Sequence, residues 1–139
     1  MKAVKITVDI FMLVFMILSV IRWDGDPAFH VAAGCGCAFF FIVHLFLNRK
    51  WLAAVTKKLK TGRASTKIKL QYIIDVLLII VWSFTIITGL IAFSLYNETE
   101  AGAGIGRLHG IPARLGCGLV LVHILQHLKQ ICSYFRHSK

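Results

Sequence analysis

Two long stretches, Pro27–Asn48 and Val76–Asn97, contain no Asp, Glu, Lys or Arg. A hydrocarbon core about 30 Å thick takes about 20 helical residues to cross. Inside it every backbone N–H and C=O must be satisfied within the segment, which makes helix the conformation for such runs. The pattern predicts four spans, at about residues 6–23, 27–48, 68–96 and 106–132, with a basic loop over 49–67. The first is the weakest, since only residues 10–21 of it are free of charge. Its charged start (MKAVK) and apolar run resemble a signal peptide, but SVIRWDGDP offers no small-x-small cleavage site. A retained span is the expectation. With 139 residues, 58% of them hydrophobic, and a mean hydropathy of +0.76, the expected fold class is all-α. It is an integral membrane four-helix bundle forming a single domain over 1–139, with no room for a separate soluble catalytic domain.

The net charge of +10 would suit nucleic acid, but its distribution suits a membrane surface. With the N-terminus inside, thirteen of the sixteen Lys and Arg fall on the inner side, eight of them between Arg49 and Lys69. Only Arg22, Arg107 and Arg114 fall outside, beside Asp24, Asp26, Glu98 and Glu100. This positive-inside bias predicts both termini in the cytoplasm of a multi-pass inner-membrane protein, of bacterial type. Trp23 and Tyr96 would mark the outer interface and Trp51, Tyr72 and Tyr134 the inner one. Trp82 falls mid-span, where packing or lipid contact suits it. Trp51, Leu52, Val55 and Leu59 recur at helical spacing in WLAAVTKKLK, which suits a short helix extension or a surface helix. A solvated basic loop that serves only topology is a simpler reading than a partner-docking patch. Gly62 reads as a helix stop and Thr66 as the N-cap of the third helix.

Four histidines stand in two matched pairs. His30 and His44 bound HVAAGCGCAFFFIVH, and His109 and His123 bound HGIPARLGCGLVLVH, the same i, i+14 interval in each. That interval is four helical turns less about 40°, so each pair shares a face, with roughly 21 Å between its members. In an N-in, C-in chain, His30 and His109 lie at the outer level and His44 and His123 at the inner level. Two imidazoles fill both axial positions of a haem iron and leave no open site, which suits one-electron transfer. The spacing therefore predicts two b-type haems between helices two and four, on His30 with His109 and on His44 with His123. The competing reading is four interior histidines that only hydrogen-bond across helices. Ionisable groups inside a membrane favour the functional reading.

Further residues share this face. Cys37 lies midway between His30 and His44 in the sequence, and Gly116 midway between His109 and His123. Both would sit between the haems, where a small residue admits a neighbouring helix or a macrocycle edge. Ordinary membrane helix packing would also use them. His127 follows His123 by one turn, at the inner surface near a propionate or a quinone headgroup, or simply solvated. His137 carries no signal.

An internal repeat runs beneath this pattern. IVHLFLN aligns with LVHILQH at an offset of 79, and VDIFMLVFMILSV with IDVLLIIVWSFTI at an offset of 66, which pairs Asp9 with Asp75. Both acids fall near the start of their helices. A capping or dipole role is the simpler reading, and a proton relay at a quinone site the sharper one. CGC (Cys35–Cys37) lacks the C-x-x-C-H of covalent haem attachment. AGAGIGRLHG follows a helix instead of a strand, so it reads as a flexible outer loop and not a dinucleotide fingerprint. Pro112 would leave a carbonyl unpaired or bend the chain near His109. Arg114, about 140° around from His109, suits snorkelling or a subunit contact.

A basic N-terminus, a helix opening with Asp, RW…H…H…NRKW and then RLHG…LVHILQH together resemble the small four-helix di-haem membrane cytochromes known as flavinylation-associated cytochromes. The resemblance spans nearly the whole chain on short, degenerate motifs. It implies bis-histidine b haems on His30, His44, His109 and His123, and electron passage between the membrane and an extracytosolic flavoprotein. The chain has no flavin-attachment domain, so a flavin would belong to a partner. More distant similarity links it to cytochrome b anchor subunits of membrane-bound hydrogenases and formate dehydrogenases. The expected role is electron transfer between the quinone pool or a cytoplasmic donor and an extracytosolic redox protein, within an oligomer or complex and not as a stand-alone enzyme. A haem-free membrane anchor and a metal or haem carrier are the competing classes.

Overall fold

The computed structural model describes residues 2–21, 27–95 and 99–136, with side chains described at 3–21, 27–95, 104–129 and 131–133. Arg22, Trp23, Asp24, Asp26, Tyr96, Glu98 and His137, and the side chains of Glu100 and Tyr134, lie outside them. Four helices follow in order: α1 (Lys2–Val20), α2 (Pro27–Lys60), α3 (Thr66–Ser94) and α4 (Thr99–Arg136). All four contain a segment long and apolar enough to cross a membrane. The chain divides into two compact units, Met1–Thr56 and Lys57–Lys139.

The first unit is α1 with most of α2. Its contacts step in opposite directions along the two helices, from Lys5 with Asn48 to Ser19 with His30, so the helices are antiparallel. Phe40 stacks on Phe11 and Phe15, with ring centroids 5.2 and 5.6 Å apart. Val8, Ala33 and Cys37 are buried, whereas Ile17, Phe39, Ile42 and Phe46 are exposed. Small residues inside and large apolar ones outside are the arrangement expected where lipid is the solvent.

The second unit is the antiparallel pair α3 and α4, with contacts from Gln71 and Gln126 to Thr85 and His109. Leu78, Thr85 and Thr88 are buried, and Ile73, Ile80, Ile87, Leu121 and Leu125 are exposed. The Thr85 and Thr88 hydroxyls donate to the carbonyls of Val81 and Phe84, each at 2.8 Å, so neither is left unsatisfied in an apolar surround. Trp82 packs beside Gly116, which fits the packing role expected for it.

Three boundaries differ from those read in the sequence. The basic segment is not a loop from residue 49: α2 runs on through Lys60, the helix extension that the spacing of Trp51, Leu52, Val55 and Leu59 suits. Ala, Leu and Lys are strong helix formers, and Lys57, Lys58 and Lys60 in the last turn complement the negative helix end. Gly62, at φ +69°, ends it: its N–H donates to Leu59 O and that of Arg63 to Lys58 O. These two bonds make a Schellman motif, for which glycine tolerates the left-handed backbone. Ser65, not Thr66, caps α3, its hydroxyl accepting from the Ile68 N–H at 3.4 Å. Finally, the AGAGIG segment lies within α4 and is not a loop. Continuing the helix satisfies its backbone groups, which outweighs about 1 kcal/mol per glycine in an apolar setting. Pro112 then sits well inside α4, with no N–H to offer the Leu108 carbonyl.

Two glycines of α2 give opposite predictions. A Cβ on Gly36 would lie 2.6 Å from the Phe15 ring, which the stack on Phe40 restrains. Gly36→Ala is expected to destabilise the protein by about 1–3 kcal/mol through overpacking. Nothing lies within 4 Å of a Cβ on Gly34. Gly34→Ala should therefore gain up to about 1 kcal/mol of helix propensity. Thermal unfolding in detergent distinguishes the two.

Candidate functional site

Each of the four paired histidines turns its Nδ1 toward the neighbouring helix of its own unit. In the first unit, His30 Nδ1 lies 2.8 Å from the Ser19 carbonyl and His44 Nδ1 lies 2.6 Å from Asp9 Oδ1. In the second, His109 Nδ1 lies 3.0 Å from the Thr85 carbonyl and His123 Nδ1 lies 2.7 Å from Asp75 Oδ1. The correspondence is residue for residue. Asp9 and Ser19 map onto Asp75 and Thr85 at an offset of 66, and His30 and His44 onto His109 and His123 at 79. The repeat legible in the sequence is thus a repeat of interhelical hydrogen bonds.

The tautomer follows from the acceptor. A carbonyl oxygen can only accept, so Nδ1 of His30 and of His109 carries a proton, and in the neutral ring the lone pair falls on Nε2. A carboxylate likewise accepts from Nδ1–H of His44 and of His123. A neutral imidazole bonded through Nδ1–H to a carbonyl or carboxylate is oriented as a metal ligand through Nε2.

These contacts revise the reading of the two acids. α1 and α3 have no acidic residue in their first turns, so neither acid caps a helix. Asp9 and Asp75 lie further along, and each accepts from a histidine on the neighbouring helix. Asp75 is the more enclosed, its side chain 13% exposed against 50% for Asp9.

Around each Asp–His pair the two units differ. The Asn48 amide donates to the His44 carbonyl at 3.0 Å and its Oδ1 accepts from Lys5 Nζ at 2.8 Å. The same amide nitrogen lies 3.4 Å from His44 Nε2. In the second unit His127 occupies the position of Asn48, its ring centroid 4.7 Å from that of His123, and Gln71 occupies the position of Lys5. Donor atoms of Asp75, His123 and His127 all lie within 4.8 Å of one another.

Other residues expected at the site pack within their own units. Cys37 is buried, its Sγ 3.8 Å from the Met12 carbonyl. A Cβ on Gly116 would meet Val81 and Trp82 at 3.4–3.5 Å. Arg114 is exposed and lies back along its own helix toward Gly110. Two supporting residues escaped the sequence reading. A Cβ on Gly89 would lie 2.9 Å from His109 Cε1, so only glycine leaves room for that ring. The Thr88 hydroxyl lies 3.5 Å from His109 Nδ1. Gly89 has Trp23 as its partner at an offset of 66, so the repeat gave no signal for it.

The assigned tautomer is directly measurable. Nitrogen-15 spectra of the haem-free protein should show a proton on Nδ1 of His30, His44, His109 and His123. An unprotonated Nδ1 at any of the four would contradict the hydrogen bonds described. Comparison with protein-family models, curated proteins and solved structures finds no match for this chain.

Proposed function

We propose that this chain is a multi-pass membrane electron-transfer protein that holds two b-type haems. By the spacing read in the sequence, His30 with His109 would hold one of them, and His44 with His123 the other. The observation that carries this reading is the shared orientation of four imidazoles, each with its Nδ1 engaged and its lone pair on Nε2. Their equal spacing along α2 and α4 supports two levels of ligation. When bound, such haems supply one-electron chemistry at a six-coordinate iron, with no open position for a substrate.

The chain's own residues bind and orient. The carbonyls of Ser19 and Thr85 and the carboxylates of Asp9 and Asp75 hold the four rings and fix their tautomers. Gly89 leaves the space that His109 fills. The Lys and Arg distribution supports a cytoplasmic position for both termini and for the basic end of α2. On that orientation the Asp-supported histidines lie toward the cytoplasm and exchange electrons with a quinone or a cytoplasmic donor. The carbonyl-supported ones face an extracytosolic redox partner, a flavoprotein by the family resemblance. The same design would serve the cytochrome b anchor subunit of a larger hydrogenase or dehydrogenase.

One observation favours a second reading. Asp75, His123 and His127 bring three donor atoms within 4.8 Å, a set that a divalent transition metal takes. A haem-free metal carrier would use that cluster.

A pyridine haemochrome assay on protein from a haem-replete host separates these readings. Two low-spin b haems per chain are expected. His30→Ala or His109→Ala should each cost one haem, and His44→Ala or His123→Ala the other. Absence of haem in the unaltered protein overturns the proposal, and metal bound in its place supports the second reading.

A further inference from the structure

Resting on the two-haem reading, we infer that Asp9 and Asp75 are positioning residues that make the two haems inequivalent. Acting through His44 and His123, they set a lower midpoint potential for the iron those histidines ligate. The iron on His30 and His109 is the one reduced first.

The inference stands on a contrast present in both units. One histidine of each pair gives its Nδ1 proton to a backbone carbonyl, at 2.8 and 3.0 Å. The other gives it to a carboxylate, at 2.6 and 2.7 Å. A peptide carbonyl is a neutral acceptor, whereas a carboxylate is charged, and charge-assisted bonds are shorter and about twice as strong. Drawing the Nδ1 proton toward a carboxylate raises the basicity of the ligating nitrogen. A more basic ligand stabilises the ferric over the ferrous state, as does a negative charge one ring away in a weakly screening surround. Both effects lower the potential. The contrast recurs in the same sense in the two units, so an iron held by His44 and His123 would feel both carboxylates and one held by His30 and His109 neither.

The units do not contribute equally. Beside His44, the Lys5 ammonium is held by Asn48 and offsets part of the Asp9 charge. The counterpart of Lys5 is Gln71, which is neutral, and Asp75 is the more enclosed acid. Asp75 therefore exerts the larger effect.

The test is a spectrally monitored redox titration of the haem-loaded protein, unaltered and as Asp9→Asn and Asp75→Asn. The asparagine carbonyl still accepts the Nδ1 proton but carries no charge. The unaltered protein is expected to show two resolved one-electron waves. Each variant should keep two haems by haemochrome assay and raise only the lower midpoint. The expected rise is about 59 mV, a tenfold change in the one-electron equilibrium constant, and larger for Asp75→Asn than for Asp9→Asn. Two retained haems with the lower midpoint unmoved, or with the upper one moved instead, overturn the inference and leave the two-haem reading standing. A single common midpoint for both haems in the unaltered protein overturns it without any variant. Haem-free protein overturns the two-haem reading itself.

Discussion

An imidazole N–H in an apolar helix pair needs an acceptor, and leaving the bond unmade where it is buried costs about 1–3 kcal/mol. Both units meet this constraint the same way, by turning each histidine onto an acceptor of the adjacent helix. Those bonds tie α1 to α2 and α3 to α4 at two levels each, so they specify helix register as well as ring orientation. Nonspecific apolar packing would tolerate sliding. A carboxylate that must meet an imidazole at 2.6 or 2.7 Å tolerates far less.

The remaining packing accommodates these polar contacts. The threonines of α3 satisfy their hydroxyls within the helix, and Gly89 and Gly36 admit a ring from the neighbouring helix. Large apolar side chains are left on the outside, an arrangement that water would penalise and lipid accepts. At 34 and 38 residues, α2 and α4 are about 51 and 57 Å long, well beyond the hydrocarbon thickness. The basic end of α2, from Arg49 to Lys60, is where that excess meets the anionic lipid surface on the proposed orientation.

The internal repeat gives the two ends of each hairpin different chemistry. One end has histidine on a carbonyl and the other has histidine on a carboxylate, in both units. The carboxylate end then diverges further, into Lys5 and Asn48 in one unit and Gln71 and His127 in the other. The four histidines thereby sit in surroundings that differ between the ends of each hairpin and between the units.

The sequence by itself determined the four membrane-length helices and the four histidines. Uncharged length and helical period are one-dimensional properties: a long run without charge reads as a span, and an i, i+14 interval reads as one helix face. It also carried the repeat that pairs Asp9 with Asp75. What the acids do was not legible, because their partners lie 35 and 48 residues away on another helix. Whether two such groups meet depends on helix register, which local pattern leaves open, so a capping role looked simpler. The helical course of the AGAGIG segment was decided in the same way, whereas the spacing in WLAAVTKKLK already suited a helix extension. A glycine-rich stretch reads as loop from composition alone, whereas in the folded chain continuing the helix satisfies its backbone at little cost. Only the tertiary structure brought the Nδ1 acceptors to the histidines. That juxtaposition assigns the tautomers, because a hydrogen bond forms between atoms and not between positions in a pattern.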